Sequence, residues 1–111
     1  MRSHLAAEAH AGLANLSLAA NDLARAESHV DMILDYLETG NLDGAFEPLR
    51  VYLTCIRVLR ALEDARADNV LDIANFKLHQ QAYQIDDPEL KSSYLNSEYA
   101  SAIQELQNSG E

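Results

Sequence analysis

The N-terminal stretch of the chain holds the side chains that come nearest to a metal site, His4, Glu8 and His10. Imidazole and carboxylate groups are common zinc ligands, and a site needs at least three of them directed at one point. On a helix His4 and Glu8 share a face because they are four residues apart, whereas His10 follows Glu8 by two and points away. The three side chains therefore do not converge, and the sequence predicts no bound metal.

His10 also allows a second kind of chemistry. A histidine on the first helix of a small acidic bundle resembles the phosphorylated residue of histidine phosphotransfer domains, which typically have Leu, Lys and Gly at the second to fourth positions after it. Here those positions hold Gly12, Leu13 and Ala14, so the lysine that steadies the phosphoryl charge is missing. Phosphotransfer through His10 stays an alternative, and the main interpretation is a half-buried histidine in a packed helix.

No catalytic residue and no cofactor are predicted. Cys55 lies between apolar neighbours such as Leu53 and Ile56, where a cysteine acts as a small hydrophobic side chain, and no histidine or second cysteine is spaced to activate it. The chain has no nucleophile-elbow motif, no glycine-rich phosphate loop and no zincin-type histidine pair. We therefore expect a non-enzymatic protein.

The clearest polar pattern is a row of three arginines, Arg50, Arg57 and Arg60. Their spacing of i, i+7 and i+10 places them in a stripe about 80° wide on one helix. Residues 50–91 carry 7 acids and 6 bases, whereas residues 1–49 carry 8 acids and 2 bases, so the bases cluster in the middle of the chain. An arginine fork there suits a carboxylate of a protein or peptide partner. The alternative is pairing with the local acids Glu47, Glu63 and Asp64.

The elements that carry these residues are helices. A chain of 111 residues with 4 Gly and 2 Pro lacks the frequent turns of a β-sandwich or barrel, and apolar residues recur at helical spacing almost from end to end. Caps divide the chain into five predicted helices: 3–20, 23–38, one starting at Pro48, one capped by Asp64, and one capped by Asp87 with Pro88 at its first position. Short turns make the first two helices one hairpin, over 3–39, and the next two another, over 45–85, with a capping helix over 87–107.

The first helix is apolar nearly all round, which is typical of a helix covered on both sides. An end helix of a helical array normally has a polar outer face. We therefore expect either a segment of a longer chain, with a preceding repeat upstream, or a homodimer in which this helix is covered by the same helix of a second copy. The residues expected to self-associate are Leu5, Leu13 and Leu16.

Both hairpins resemble tetratricopeptide repeats (TPRs). In the first hairpin Leu13, Ala14, Ala26, Val30 and Ile33 fall at the repeat's apolar and small positions, with Asn21 and Asp22 at its turn. In the second hairpin the matching residues are Tyr52, Leu59, Ala67, Leu71 and Ala74. The sequence thus predicts an all-α fold of two degenerate TPR-like repeats and a cap, forming one domain over 1–111.

A closer resemblance extends over nearly the whole chain. It is similar to the TPR-type tail of large bacterial multidomain signalling regulators, in which nucleoside cyclase or signalling-ATPase modules precede the repeats. The segments that carry the likeness are 10–14, 37–44, 47–55, 58–61, 64–67 and 90–95. The resemblance implies an interaction or regulatory segment and transfers no catalytic residue.

Composition limits the partners. A net charge of −10 opposes binding to nucleic acid and to anionic membrane surfaces, and no apolar run approaches the roughly 18 residues of a membrane span. A single cysteine excludes an internal disulfide, so a cytoplasmic protein is expected.

Overall fold

A computed structural model describes residues 4–42 and 47–109, and these residues form helices and no strands. The predicted all-α fold is confirmed. The helices are α1 (His4–Ala19), α2 (Leu23–Leu37), α3 (Pro48–Ala61), α4 (Arg66–Tyr83), α5 (Pro88–Leu95) and α6 (Glu98–Ser109). The predicted cap at Ser3, the start of the second hairpin at residue 45 and part of the connection before Pro48 lie outside the described residues.

The structure has six helices in this part of the chain, because the predicted fifth helix over 87–107 is divided at Asn96 and Ser97. Asn and Ser side chains compete for backbone hydrogen bonds and so favour helix ends over helix interiors. The break is stabilised from α6, where the Gln104 amide donates to the Leu95 carbonyl at 2.8 Å. That bond supplies a partner to a carbonyl that the end of α5 leaves unsatisfied.

The turns inside the two hairpins have the same geometry. Asn21 after α1 and Glu63 after α3 both adopt positive φ, at 60° and 55°. In each turn the next backbone N–H donates to a carbonyl five residues back, from Asp22 to Ser17 and from Asp64 to Leu59, both at 2.8 Å. This is the Schellman ending of a helix. The aspartate that follows then caps the next helix, since the carboxylates of Asp22 and Asp64 accept from backbone N–H groups of Arg25 and Arg66.

Helix α3 lies at the centre of the packing. It contacts α1, α2, α4 and α6, and nine of its 14 residues are buried. Helix α1 packs against α2 and α3 alone among the described helices, so it stands at one end of the array. Asn15 ties it to the centre, because its side-chain amide donates to the Thr54 hydroxyl of α3 at 2.9 Å.

None of the described helices combines the length and the apolar character that a membrane crossing requires.

Candidate interaction surfaces

The outer side of α1 is an exposed apolar face. Leu5, Leu13 and Leu16, the residues predicted to self-associate, are 67%, 47% and 69% exposed. With Ala9 they form a stripe about 80° wide at 100° per residue, and Ala19 and Ala20 extend the exposed apolar surface toward the C-terminal end. No charged side chain interrupts this surface on α1 itself, so its contact with water is unfavourable along the whole helix.

The inner side of α1 is built from small residues. Ala7, Ala11 and Ala14 are fully buried, with Ser17 beside them. Side chains of this size let the α1 backbone come close to α2 and α3, as in helical repeats where alanines stand at helix contacts. The larger leucines are therefore left on the outside, which explains why an end helix exposes them.

The three arginines of α3 reach the surface from an otherwise buried helix. Arg57 is exposed, while Arg50 and Arg60 are half-buried. Within the described part of the chain none of them has an acidic partner within 4.0 Å, so the alternative pairing with Glu47, Glu63 or Asp64 is not formed there. The row thus presents three cationic groups that form no ion pair with the described residues.

The structure divides the arginine row between two grooves. Arg50 lies in an apolar groove between α3 and α1, and a Cβ atom placed on Gly12 would be 3.6 Å from its Nη2 atom. Arg57 and Arg60 lie in a second groove, between α3 and α6. Its other lining residues are Ala102, Glu105 and Leu106. The split arises because α1 and α6 flank different parts of α3, which the spacing along α3 alone does not reveal.

Arg66, at the start of α4, forms an ion-pair cluster that the sequence patterns did not predict. Its guanidinium donates to both carboxylate oxygens of Asp64, at 2.9 and 3.1 Å, and to Asp31 of α2 at 3.2 Å. The hydrogen bonds from Arg66 lower the pKa of Asp64, and those to Asp64 raise the pKa of Arg66. The local Asp-x-Arg spacing at the start of α4 was a usable signal, whereas the link to Asp31 depends on tertiary packing.

His10 turns toward α2 and meets His29, a second residue that sequence reasoning overlooked. The two Nδ1 atoms are 2.9 Å apart and the ring centroids 5.1 Å apart. Burial and then the nearby His29 lower the pKa of His10. One Nδ1 must be protonated and donate the hydrogen bond, and the other must be unprotonated and accept it. This contact therefore requires at least one neutral ring.

The remaining candidates of the sequence are the possible metal ligands His4, Glu8 and His10, and the single cysteine, Cys55. In the described segments no three side chains of the metal-binding types come together. Cys55 is fully buried in α3, and this burial raises the pKa of its thiol to about 12, so the reactive thiolate is not formed near neutral pH.

Comparisons with protein-family models, with curated proteins and with solved structures found no match to this chain.

Proposed function

We propose that this protein is a non-catalytic, TPR-like interaction module that works as a segment of a larger bacterial signalling protein. The observation that carries the proposal is the pair Arg57 and Arg60 of α3, which form no ion pair with the described residues and lie together in one surface groove. A module of this kind recognises a partner by charge and shape and has no need of catalytic residues.

The likeness of the two hairpins supports the repeat architecture. Asn21 and Glu63, the two residues with positive φ, occupy corresponding positions in the two hairpins. The same number of residues separates Ala11 from Leu53 and Ala14 from Ile56. Those four alanine, leucine and isoleucine positions are all buried, so the first helix of each hairpin presents the same side to the core. The same register of the first helices and the same turn are what two copies of one structural unit would have, with the second helix displaced by one residue between the hairpins.

The groove between α3 and α6 is the proposed binding site. Arg57 and Arg60 supply two guanidinium groups, Glu105 supplies one carboxylate, and Ala102 and Leu106 supply apolar surface. The groove therefore fits a peptide with acidic side chains beside apolar ones, since a guanidinium binds a carboxylate through two parallel hydrogen bonds. The partner we propose is an acidic protein segment.

The phosphotransfer alternative gains no support from the position of His10. Its ring is half-buried and its Nδ1 is engaged with His29 of α2. A phosphoryl donor would have to displace this contact to reach that nitrogen.

A displayed library of random peptides, selected on the purified protein, tests the binding site. We expect the selected peptides to be enriched in Asp and Glu and to bind the Arg57→Ala and Arg60→Ala variants about two- to fivefold more weakly, the effect of losing a partly exposed charged pair. Binding should also weaken as salt is raised from about 0.05 to 0.3 M, because the screening length shortens.

Arg25→Ala is the matched control, because it removes the same charge from an exposed arginine on α2. It should leave peptide affinity unchanged. Selected peptides that bind the Arg57→Ala/Arg60→Ala double variant as tightly as the original protein would refute the proposed groove, provided that circular dichroism shows the variant to be folded.

A further inference from the structure

We infer that the exposed face of α1 is a homodimer interface, in which α1 packs antiparallel against α1 of a second copy with Glu8 of each copy facing Arg50 of the other. This inference concerns a different face from the Arg57 and Arg60 groove, so either can fail without the other.

The stripe on α1 is complementary in size to its own antiparallel copy. When two copies are related by a two-fold axis between residues 10 and 11, Leu5 meets Leu16 of the partner copy, and Ala9 lies level with residue 12 of the partner, next to Leu13. Large residues thus oppose large ones at the two ends, where the helices diverge, and a small residue opposes a large one near the crossing point. Antiparallel packing also sets the two helix dipoles in opposite directions.

Charge selects the same arrangement. Viewed down the axis of α1, the side chain of Glu8 lies between the positions of Asn15 and Gly12. Asn15 bonds to Thr54 of α3, and Gly12 lies against Arg50 of α3. Glu8 is therefore on the side of the stripe that faces α3. A two-fold axis perpendicular to both helices brings the α3 sides of the two copies together. Glu8 of one copy then lies at the level of residue 13 of the other, in the groove that Arg50 lines.

Glu8 and Arg50 form no ion pair with any residue in the described segments. In the antiparallel dimer both would be paired, twice by symmetry, at the margin of an apolar contact. A parallel dimer would place the α3 side of one copy against the α2 side of the other and would leave both charges without these partners.

The expected dimer is weak. Helix α1 has 16 residues and is therefore about 24 Å long, so a single pair of such helices covers less than the roughly 1,200 Å² of a stable interface. The net charge of −10 on each copy opposes association, although the exposed stripe of α1 itself carries no charged side chain.

Sedimentation velocity from about 1 µM to about 500 µM tests the dimer. Leu16→Glu should weaken dimerisation at least tenfold, because it places a charge in the apolar contact with Leu5 of the partner copy. Leu16 is 69% exposed in the single chain, so the variant should fold normally. Phe76→Glu is the matched control, because Phe76 on α4 is 64% exposed and should tolerate the change without effect on dimerisation.

A charge exchange tests the Glu8 to Arg50 contact. Glu8→Arg and Arg50→Glu should each weaken the dimer, and the double variant should restore it, since every contact is then re-formed with reversed charges. A double variant as weak as the single ones would overturn the charge pairing.

Disulfide trapping tests the orientation. On a Cys55→Ala background, a mixture of Leu5→Cys and Leu16→Cys chains should form the mixed disulfide in preference to either symmetric one. A preference for the symmetric disulfides would overturn the antiparallel arrangement, and a monomer over the whole concentration range would overturn the inference altogether.

Discussion

At the scale of single residues, the contact between His10 and His29 makes the packing of α1 on α2 depend on protonation. Their Nδ1 atoms are 2.9 Å apart, a distance that two protonated nitrogens would not keep. The lowered pKa of His10 agrees with this geometry, because it reflects burial first and the His29 ring second.

We predict that the free energy of unfolding decreases as the pH falls through 6.5. His10 has a pKa below its ordinary value of 6.5 in the folded protein, so the unfolded chain takes up this proton at higher pH than the folded one. The stabilisation from the neutral ring is present above pH 6.5 and is lost as the pH falls toward the folded pKa. Urea unfolding at pH 8 and at about pH 5.5 measures the difference.

The control for this prediction is a second histidine. His10→Gln should reduce the pH dependence in this range, whereas His79→Gln, at an exposed position on α4, should leave it as it was. Equal effects of the two variants would show that the pH dependence comes from elsewhere.

At the scale of elements, the two hairpin turns have the same backbone geometry, but the residue that adopts positive φ is Asn21 in one and Glu63 in the other. Asn tolerates positive φ better than other residues with side chains, because its short amide forms local hydrogen bonds. Glu63 has no such compensation, and yet its φ is 55°. The turn between α3 and α4 is thus held by the Schellman hydrogen bonds and by the Asp64 cap in spite of the residue at its centre.

Glu63→Gly should raise the free energy of unfolding by about 0.5–1 kcal/mol, because glycine adopts this φ without the steric cost of a Cβ atom. Glu63→Asn should act in the same direction. Ala61→Gly, two residues earlier at the end of α3, is the matched control and should lower stability by about as much, since φ is helical there. Chemical denaturation measures all three, and a loss of stability in Glu63→Gly would contradict the argument.

At the scale of the whole molecule, the charges are unevenly compensated. The chain carries 18 acidic and 8 basic residues, and the ion pairs of the described segments involve only Arg25 and Arg66. Most acidic groups therefore repel one another across the surface, and this repulsion opposes the compact state.

We predict that added salt stabilises the fold. Raising NaCl from about 0.02 to 0.3 M shortens the screening length and should raise the melting temperature by a few degrees, measured at low protein concentration by circular dichroism. A variant with Asp35→Asn and Asp72→Asn, both exposed and without ion pairs in the structure, should melt higher at low salt and gain less from NaCl. A melting temperature that falls with salt would mean that attractive pairs dominate.

The positions and ends of most helices follow from the sequence, because the interactions that set them are local. Pro48 and Pro88 stand in first turns, Asp22 and Asp87 accept hydrogen bonds from nearby backbone N–H groups, and Asn21 ends α1 as its type predicts. The break at Asn96 was missed, since the apolar stripe runs through it and the stabilising bond comes from Gln104.

Only the tertiary structure determined which surfaces these helices present. The periodicity of α1 does not show which of its sides is buried. Apolar residues recur at helical spacing on both sides, as Ala7 and Ala11 on one and as Leu5 and Leu13 on the other. Packing against α2 and α3 selects the alanine side for the core, since close approach of backbones needs small side chains, and leaves the leucines in water. The spacing along α3 likewise defines an arginine row, whereas its division between two grooves depends on where α1 and α6 lie.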